Sequence, residues 1–124
     1  MDKKIKVLIV EDEAIFAMSM RRVLTMLGHE ACGVTSTGEE AVELAKRENP
    51  DLIIMDVTLK GRMDGIEAAQ EIRSGCNVPI IFISGYQEAK LLEQAGSVEH
   101  TIYLTKPIMP DDIKSAIRQT IQDR

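Results

Sequence analysis

Glu11, Asp12, Asp56, Ser84 and Lys106 are the side chains of this 124-residue sequence best suited to do chemistry together. Each closely follows a short apolar run: Ile5–Val10 before Glu11-Asp12-Glu13, Leu52–Met55 before Asp56, Ile80–Ile83 before Ser84, and Thr101–Leu104 before Thr105-Lys106-Pro107. An unpaired carboxylate in a dry interior is costly or takes up a proton, so Asp56 requires a polar rim or a cationic partner. Carboxylates gathered at one point repel, and one of them has its pKa raised unless a cation intervenes. Oxygen-only ligands suit a hard cation such as Mg²⁺ or Mn²⁺. Lys106 adds a second positive charge. A carboxylate nucleophile beside a divalent cation and an ammonium is suited to receive a phosphoryl group, whose spread charge both cations stabilise.

Those residues come together only if the intervening elements place the ends of the apolar runs on one rim. The runs Ile5–Val10, Ala31–Val34, Leu52–Met55, Ile80–Ile83 and Thr101–Leu104 read as strands, and helical patterns lie between them. Phe16, Met20, Val23, Leu24 and Leu27 fall on one helix face that Gly28 ends. Thr37-Gly38-Glu39-Glu40 reads as a capping box opening a second helix, which Asn49-Pro50 closes. Asp64-Gly65-Ile66-Glu67 has the same logic for a third helix through Ile72. A weaker fourth helix is predicted over about Glu88–Ala95, and a fifth starts near Pro110 with Ile113, Ala116, Ile117, Thr120 and Ile121 on one face. Such alternation implies an α/β fold, a doubly wound parallel sheet with helices on both faces. Ligands of open parallel sheets bind at the carboxyl ends of the strands, where the strand order reverses. In the flavodoxin-like order 2-1-3-4-5 the first and third strands are neighbours at that point. The acids that follow them then converge, with Ser84 and Lys106 next along the rim.

The bulk properties exclude several classes. Hydrophobic residues make up 44% and charged residues 28%, which is a globular composition, and the length fits one domain over residues 1–124. Aromatics are only 3%, so the core must be built from Ile, Leu, Val, Ala and Met. A net charge of -5 argues against gripping nucleic-acid phosphates by bulk charge. No apolar run reaches the ~20 residues a bilayer-spanning helix needs. Met1-Asp2-Lys3-Lys4 leads directly into a strand-like run with no signal peptide, so the expected compartment is the cytoplasm. Cys32 and Cys76 are expected to be reduced thiols, and His29 and His100 ordinary loop or strand-edge residues.

Taken together these residues resemble a response-regulator receiver domain, the CheY-like module of two-component phosphorelay signalling, over essentially the whole chain. Glu11 and Asp12 match the acidic pair after the first strand, and Asp56 matches the phosphoacceptor. Ser84 matches the switch hydroxyl, Lys106-Pro107 the Lys-Pro that carries a cis peptide in the family, and Tyr103 the aromatic switch position. Met63-Asp64-Gly65 resembles the motif that opens the third helix. The loop after Asp56 departs from the family by one extra residue and a missing Pro, and Ser84 replaces the commoner Thr.

The resemblance implies a role for each position. Asp12 and Asp56 would bind Mg²⁺ directly, with the Thr58 backbone carbonyl as a third protein ligand and Glu11 acting mostly through metal-bound water. Asp56 would accept the phosphoryl group of a phosphohistidine, from a sensor histidine kinase or a phosphotransfer protein. Lys106 would hold one phosphoryl oxygen, Ser84 would swing to another, and Tyr103 would move inward. Thr58 and Tyr86, two residues past Asp56 and Ser84, would govern the phosphoryl lifetime. The output face would be the fourth helix, fifth strand and fifth helix, meeting a downstream protein target or an attached output domain. It leaves open whether phosphorylation pairs two copies, and it predicts no direct contact with nucleic acid or membrane.

Each residue taken alone has an ordinary explanation. The acid run suits a helix start, Ser84 a turn, Lys106 the surface and Tyr103 a half-buried strand. Their common placement at strand ends is what turns would not require. Three other functions compete with a switch. An aspartyl phosphohydrolase would want a second Asp two residues past the nucleophile, where Thr58 stands. A flavodoxin-like cofactor carrier would want a Ser/Thr-rich phosphate loop after the first strand, where three acids stand instead. A receiver-like scaffold that cannot be phosphorylated would not need Glu11, Asp12, Asp56, Ser84 and Lys106 together.

Overall fold

The computed structural model describes residues 3–59, 61–85 and 100–122. The elements are β1 (Lys6–Val10), α1 (Ala14–Met26), β2 (Glu30–Thr35), α2 (Gly38–Glu48), β3 (Leu52–Asp56), α3 (Gly65–Gly75), β4 (Ile80–Ser84), β5 (Thr101–Thr105) and a last helix, here α4 (Pro110–Gln122). The strands form one parallel sheet in the order β2-β1-β3-β4-β5, as expected. The predicted helix over Glu88–Ala95 and the residue Tyr86 lie outside the described residues. Among those described, no helix is long and apolar enough to cross a membrane.

Apolar runs buried on both faces suit a parallel sheet. Alternate residues divide between two cores. Leu8, Val10, Ile53, Met55, Ile80 and Phe82 pack toward α2 and α3. Val7, Ile9, Leu52, Ile54, Ile81 and Ile83 face Ala17, Met20 and Leu24 of α1 and Ile113, Ala116 and Ile117 of α4. Burying each of the larger of these apolar side chains is worth ~1.5–3 kcal/mol, so β3 and β4 are anchored on both sides and hold their carboxyl ends rigidly.

The helix ends follow the predicted signals with one exception. Asp64 and Glu67 close a full capping box on α3. At α2, Thr37 accepts from the Glu40 N–H at 3.2 Å, but the reciprocal arm is missing. The Glu40 carboxylate instead accepts a hydrogen bond from the Thr35 hydroxyl. Gly28 ends α1 at φ +87° and Asn49 ends α2 in a left-handed conformation. His29 stands just before β2, the loop or strand-edge position expected of it, and it is buried there with its Nδ1 accepting from the Ile5 N–H at 3.2 Å.

Candidate functional site

The register at the centre of the sheet builds the site. Val10 stands opposite Met55 across the β1–β3 pair, so the next residues, Glu11 and Asp56, fall side by side. Glu11 is held there by its N–H, which donates to the Thr35 carbonyl at 2.9 Å. Asp56 does not lie past its strand, as the sequence suggested, but is its last residue, paired with Ile83. Ser84 likewise closes β4 rather than following it. The ladder hydrogen bonds continue one residue beyond the apolar run because they do not depend on side-chain type. Asp56 is consequently only 5% exposed and Glu11 4%.

Carboxylate oxygens of Glu11, Asp12 and Asp56 lie within 4.8 Å of one another. Burial, and then a hydrogen bond to Asp56, push the Glu11 carboxyl up to about 8. Burial also raises Asp56, against the opposing effect of its hydrogen bonds to Glu11 and to the Thr58 N–H, the latter at 3.0 Å. The pair therefore holds a proton, with Glu11 as the donor. The Lys106 ammonium sits 3.9 Å from Glu11 Oε2 and 3.2 Å from Glu13 Oε1. Burial alone would lower Lys106, but Glu11, Glu13 and Asp56 outweigh it and hold the ammonium above its usual value.

The donor set fits a hard divalent cation. It offers oxygen only, it is negative, and burial raises the carboxyls of Glu11 and Asp56, a shift that a balancing cation would oppose. Ser84, the last residue of β4, is 1% exposed, and its Oγ has no hydrogen-bond partner among the described residues. Lys106-Pro107 is a cis peptide, matching the expectation. Tyr103 is half-exposed on the edge strand, its ring stacked on Phe82 with centroids 5.6 Å apart, and its hydroxyl receives a hydrogen bond from Thr101 Oγ1 at 3.1 Å.

Three features escaped the sequence. Glu13 was only part of an acid run, yet its carboxylate reaches Lys106. Phe16 was assigned to the core stripe, yet Lys106 Nζ lies 4.5 Å from its ring centroid. Gly65 was read as part of a cap, but a Cβ there would stand 2.0 Å from the Asp56 carbonyl oxygen. No local signal marks the first two, whose partner Lys106 is far away in sequence, and the Gly65 contact depends on how closely the start of α3 approaches the end of β3.

A five-stranded parallel sheet in this order, with acids and a lysine at the carboxyl ends of its strands, is the architecture of a signalling receiver. The chain belongs to the response regulator receiver domain family, which matches residues 7–118. It is 40% identical over 116 residues to the transcriptional regulatory protein PdtaR of Mycobacterium tuberculosis strain H37Rv, covering 94% of this chain and 56% of that protein. It is 32% identical over 115 residues to the chemotaxis protein CheY of Thermotoga maritima, covering 92% and 95% of the two chains. The crystal structure of the signal receiver domain of a modulated diguanylate cyclase from Desulfovibrio desulfuricans G20 superimposes with a TM-score of 0.90 at 38% identity, covering 98% and 96%. The chain spans about half the length of several curated relatives it matches, such as the 56% of PdtaR. Its membership places it in phosphorelay signalling as a switch module whose family generally binds Mg²⁺ through acidic residues.

Proposed function

We infer that this chain is a phosphoacceptor switch in which Asp56 takes a phosphoryl group from the phosphohistidine of a sensor histidine kinase or phosphotransfer protein. The observation that carries this is the meeting of Glu11, Asp12 and Asp56 within 4.8 Å, with the Lys106 ammonium 3.9 Å from Glu11. An Asp56 carboxylate oxygen forms the new O–P bond as the P–N bond to the donor imidazole breaks. The bonding pair stays on the imidazole nitrogen. Asp12, Asp56 and the Thr58 carbonyl would hold Mg²⁺ or Mn²⁺, with Glu11 in support. When bound, that ion supplies positive charge against the crowded carboxylates and phosphoryl oxygens.

Lys106 binds one oxygen of the transferred group, and the Ser84 hydroxyl, which has no partner among the described residues, donates to another. Both contacts exist only in the phosphorylated state, so they shift the population of two conformations rather than turn over substrate. Tyr103 leaves its exposed position as Ser84 moves, and β5 with α4 carries the change to a downstream partner. Thr58 and Tyr86 set how readily water attacks the acyl phosphate. On this reading residues 1–124 act as one receiver domain.

Incubation with acetyl phosphate and Mg²⁺, followed by intact mass, tests the proposal. One added phosphate that disappears in Asp56→Asn and without Mg²⁺ supports it. Steady phosphate release with no adduct would make the chain a phosphohydrolase instead.

A further inference from the structure

The Lys106 ammonium is engaged by two side chains at the start of α1, Glu13 and Phe16. Glu13 is the N-cap residue of that helix, where a carboxylate can accept from the helix's own N–H groups. It makes no such cap. Its backbone serves the helix, the Ala17 N–H donating to the Glu13 carbonyl at 2.9 Å, while its side chain turns across the site to Lys106 Nζ at 3.2 Å. One turn along, the Phe16 ring lies 4.5 Å from the same Nζ. Glu11, a member of the acid cluster, is farther from the ammonium at 3.9 Å. The nearest carboxylate to Lys106 is therefore one outside the cluster that surrounds Asp56.

We propose that Glu13, assisted by Phe16, is a positioning residue that tethers Lys106 in the unphosphorylated protein and must release it before Lys106 can bind the phosphoryl group. The inference rests on the phosphoacceptor reading above. The Lys106–Glu13 contact stabilises the ground state and is weakened in the transition state, and such an interaction slows the step it precedes. The pair is partly open to solvent, Glu13 at 68% and Lys106 at 25%. Its removal is therefore expected to speed Asp56 phosphorylation by phosphoramidate only ~1.5–5-fold, the size an exposed ion pair allows.

A double-mutant cycle tests the tether against the alternative that Glu13 merely repels an anionic donor. Phosphorylation rates are measured by intact mass in wild type, Glu13→Gln, Lys106→Met and the double variant, at raised phosphoramidate for the last two. The tether requires that Glu13→Gln accelerate the reaction when Lys106 is present and have no effect when it is Met. The ¹⁵N resonance of the Lys106 ammonium gives a second readout. In unphosphorylated Glu13→Gln it should lie closer to its position in the phosphorylated wild type. No acceleration, a slowing, or an acceleration that persists in Lys106→Met overturns the tether while leaving the phosphoacceptor reading intact. A wild type that takes up no phosphate overturns both.

Discussion

Glu11 and Asp56, brought side by side by the β1–β3 register, share a proton in the metal-free protein. The native state keeps that proton well above the ordinary carboxylate value of 4.5, up to about 8, whereas the unfolded chain has released it. Its contribution to stability is therefore full below pH 4.5 and is lost as the pH rises through about 8. Melting temperature in EDTA should fall across this window, and Glu11→Gln, which cannot titrate, should flatten the fall. A profile that is equally steep in the variant would assign the effect to other groups.

Mg²⁺ should reverse that loss, because it replaces the proton as the balancing charge. At a free concentration of 100 times Kd it should add about 2.7 kcal/mol to the unfolding free energy. At one fixed Mg²⁺ concentration the gain should be larger at pH 8 than at pH 6, since the ion competes with the proton for the same oxygens. Asp12→Asn should remove most of it. Thermal melts with and without Mg²⁺ at the two pH values give the answer.

Ser84 carries a buried hydroxyl with no partner among the described residues. Deleting an unsatisfied polar group removes a penalty rather than a bond. Ser84→Ala should therefore leave the unphosphorylated protein within about 1 kcal/mol of wild type, or make it more stable. The same variant should lose conformational coupling once phosphorylated, read as a smaller change in the Tyr103 ring resonances. A strongly destabilised Ser84→Ala would mean the hydroxyl already has a partner.

Gly65 passes so close to Asp56 that a Cβ would lie 2.0 Å from its carbonyl oxygen and 3.0 Å from the Val57 Cα. Those neighbours are backbone, and the Gly65 N–H already donates to the Val57 carbonyl at 2.9 Å. Gly65→Ala must push the end of β3 away. The expected loss is about 3 kcal/mol, the upper part of the overpacking range, with phosphorylation of Asp56 slowed as well. Denaturant unfolding and the acetyl phosphate assay measure the two effects.

The sequence alone determined the described elements and their side. Apolar runs of Ile, Leu, Val and Met between amphipathic stretches admit few arrangements other than a parallel sheet covered on both faces. The position of Glu11, Asp12, Asp56, Ser84 and Lys106 at the strand ends then follows from strand polarity. The capping box at Asp64–Glu67 was equally legible, because both of its partners lie within one turn of helix. Tertiary structure decided the rest. The depth of Asp56, the proton it shares with Glu11, the turn of Glu13 and Phe16 toward Lys106, and the bar on a side chain at Gly65 all depend on which segments touch. Local periodicity records which face of an element is apolar. It carries no record of distances of 3 to 5 Å between segments far apart in the chain, and electrostatic and steric effects are set at those distances.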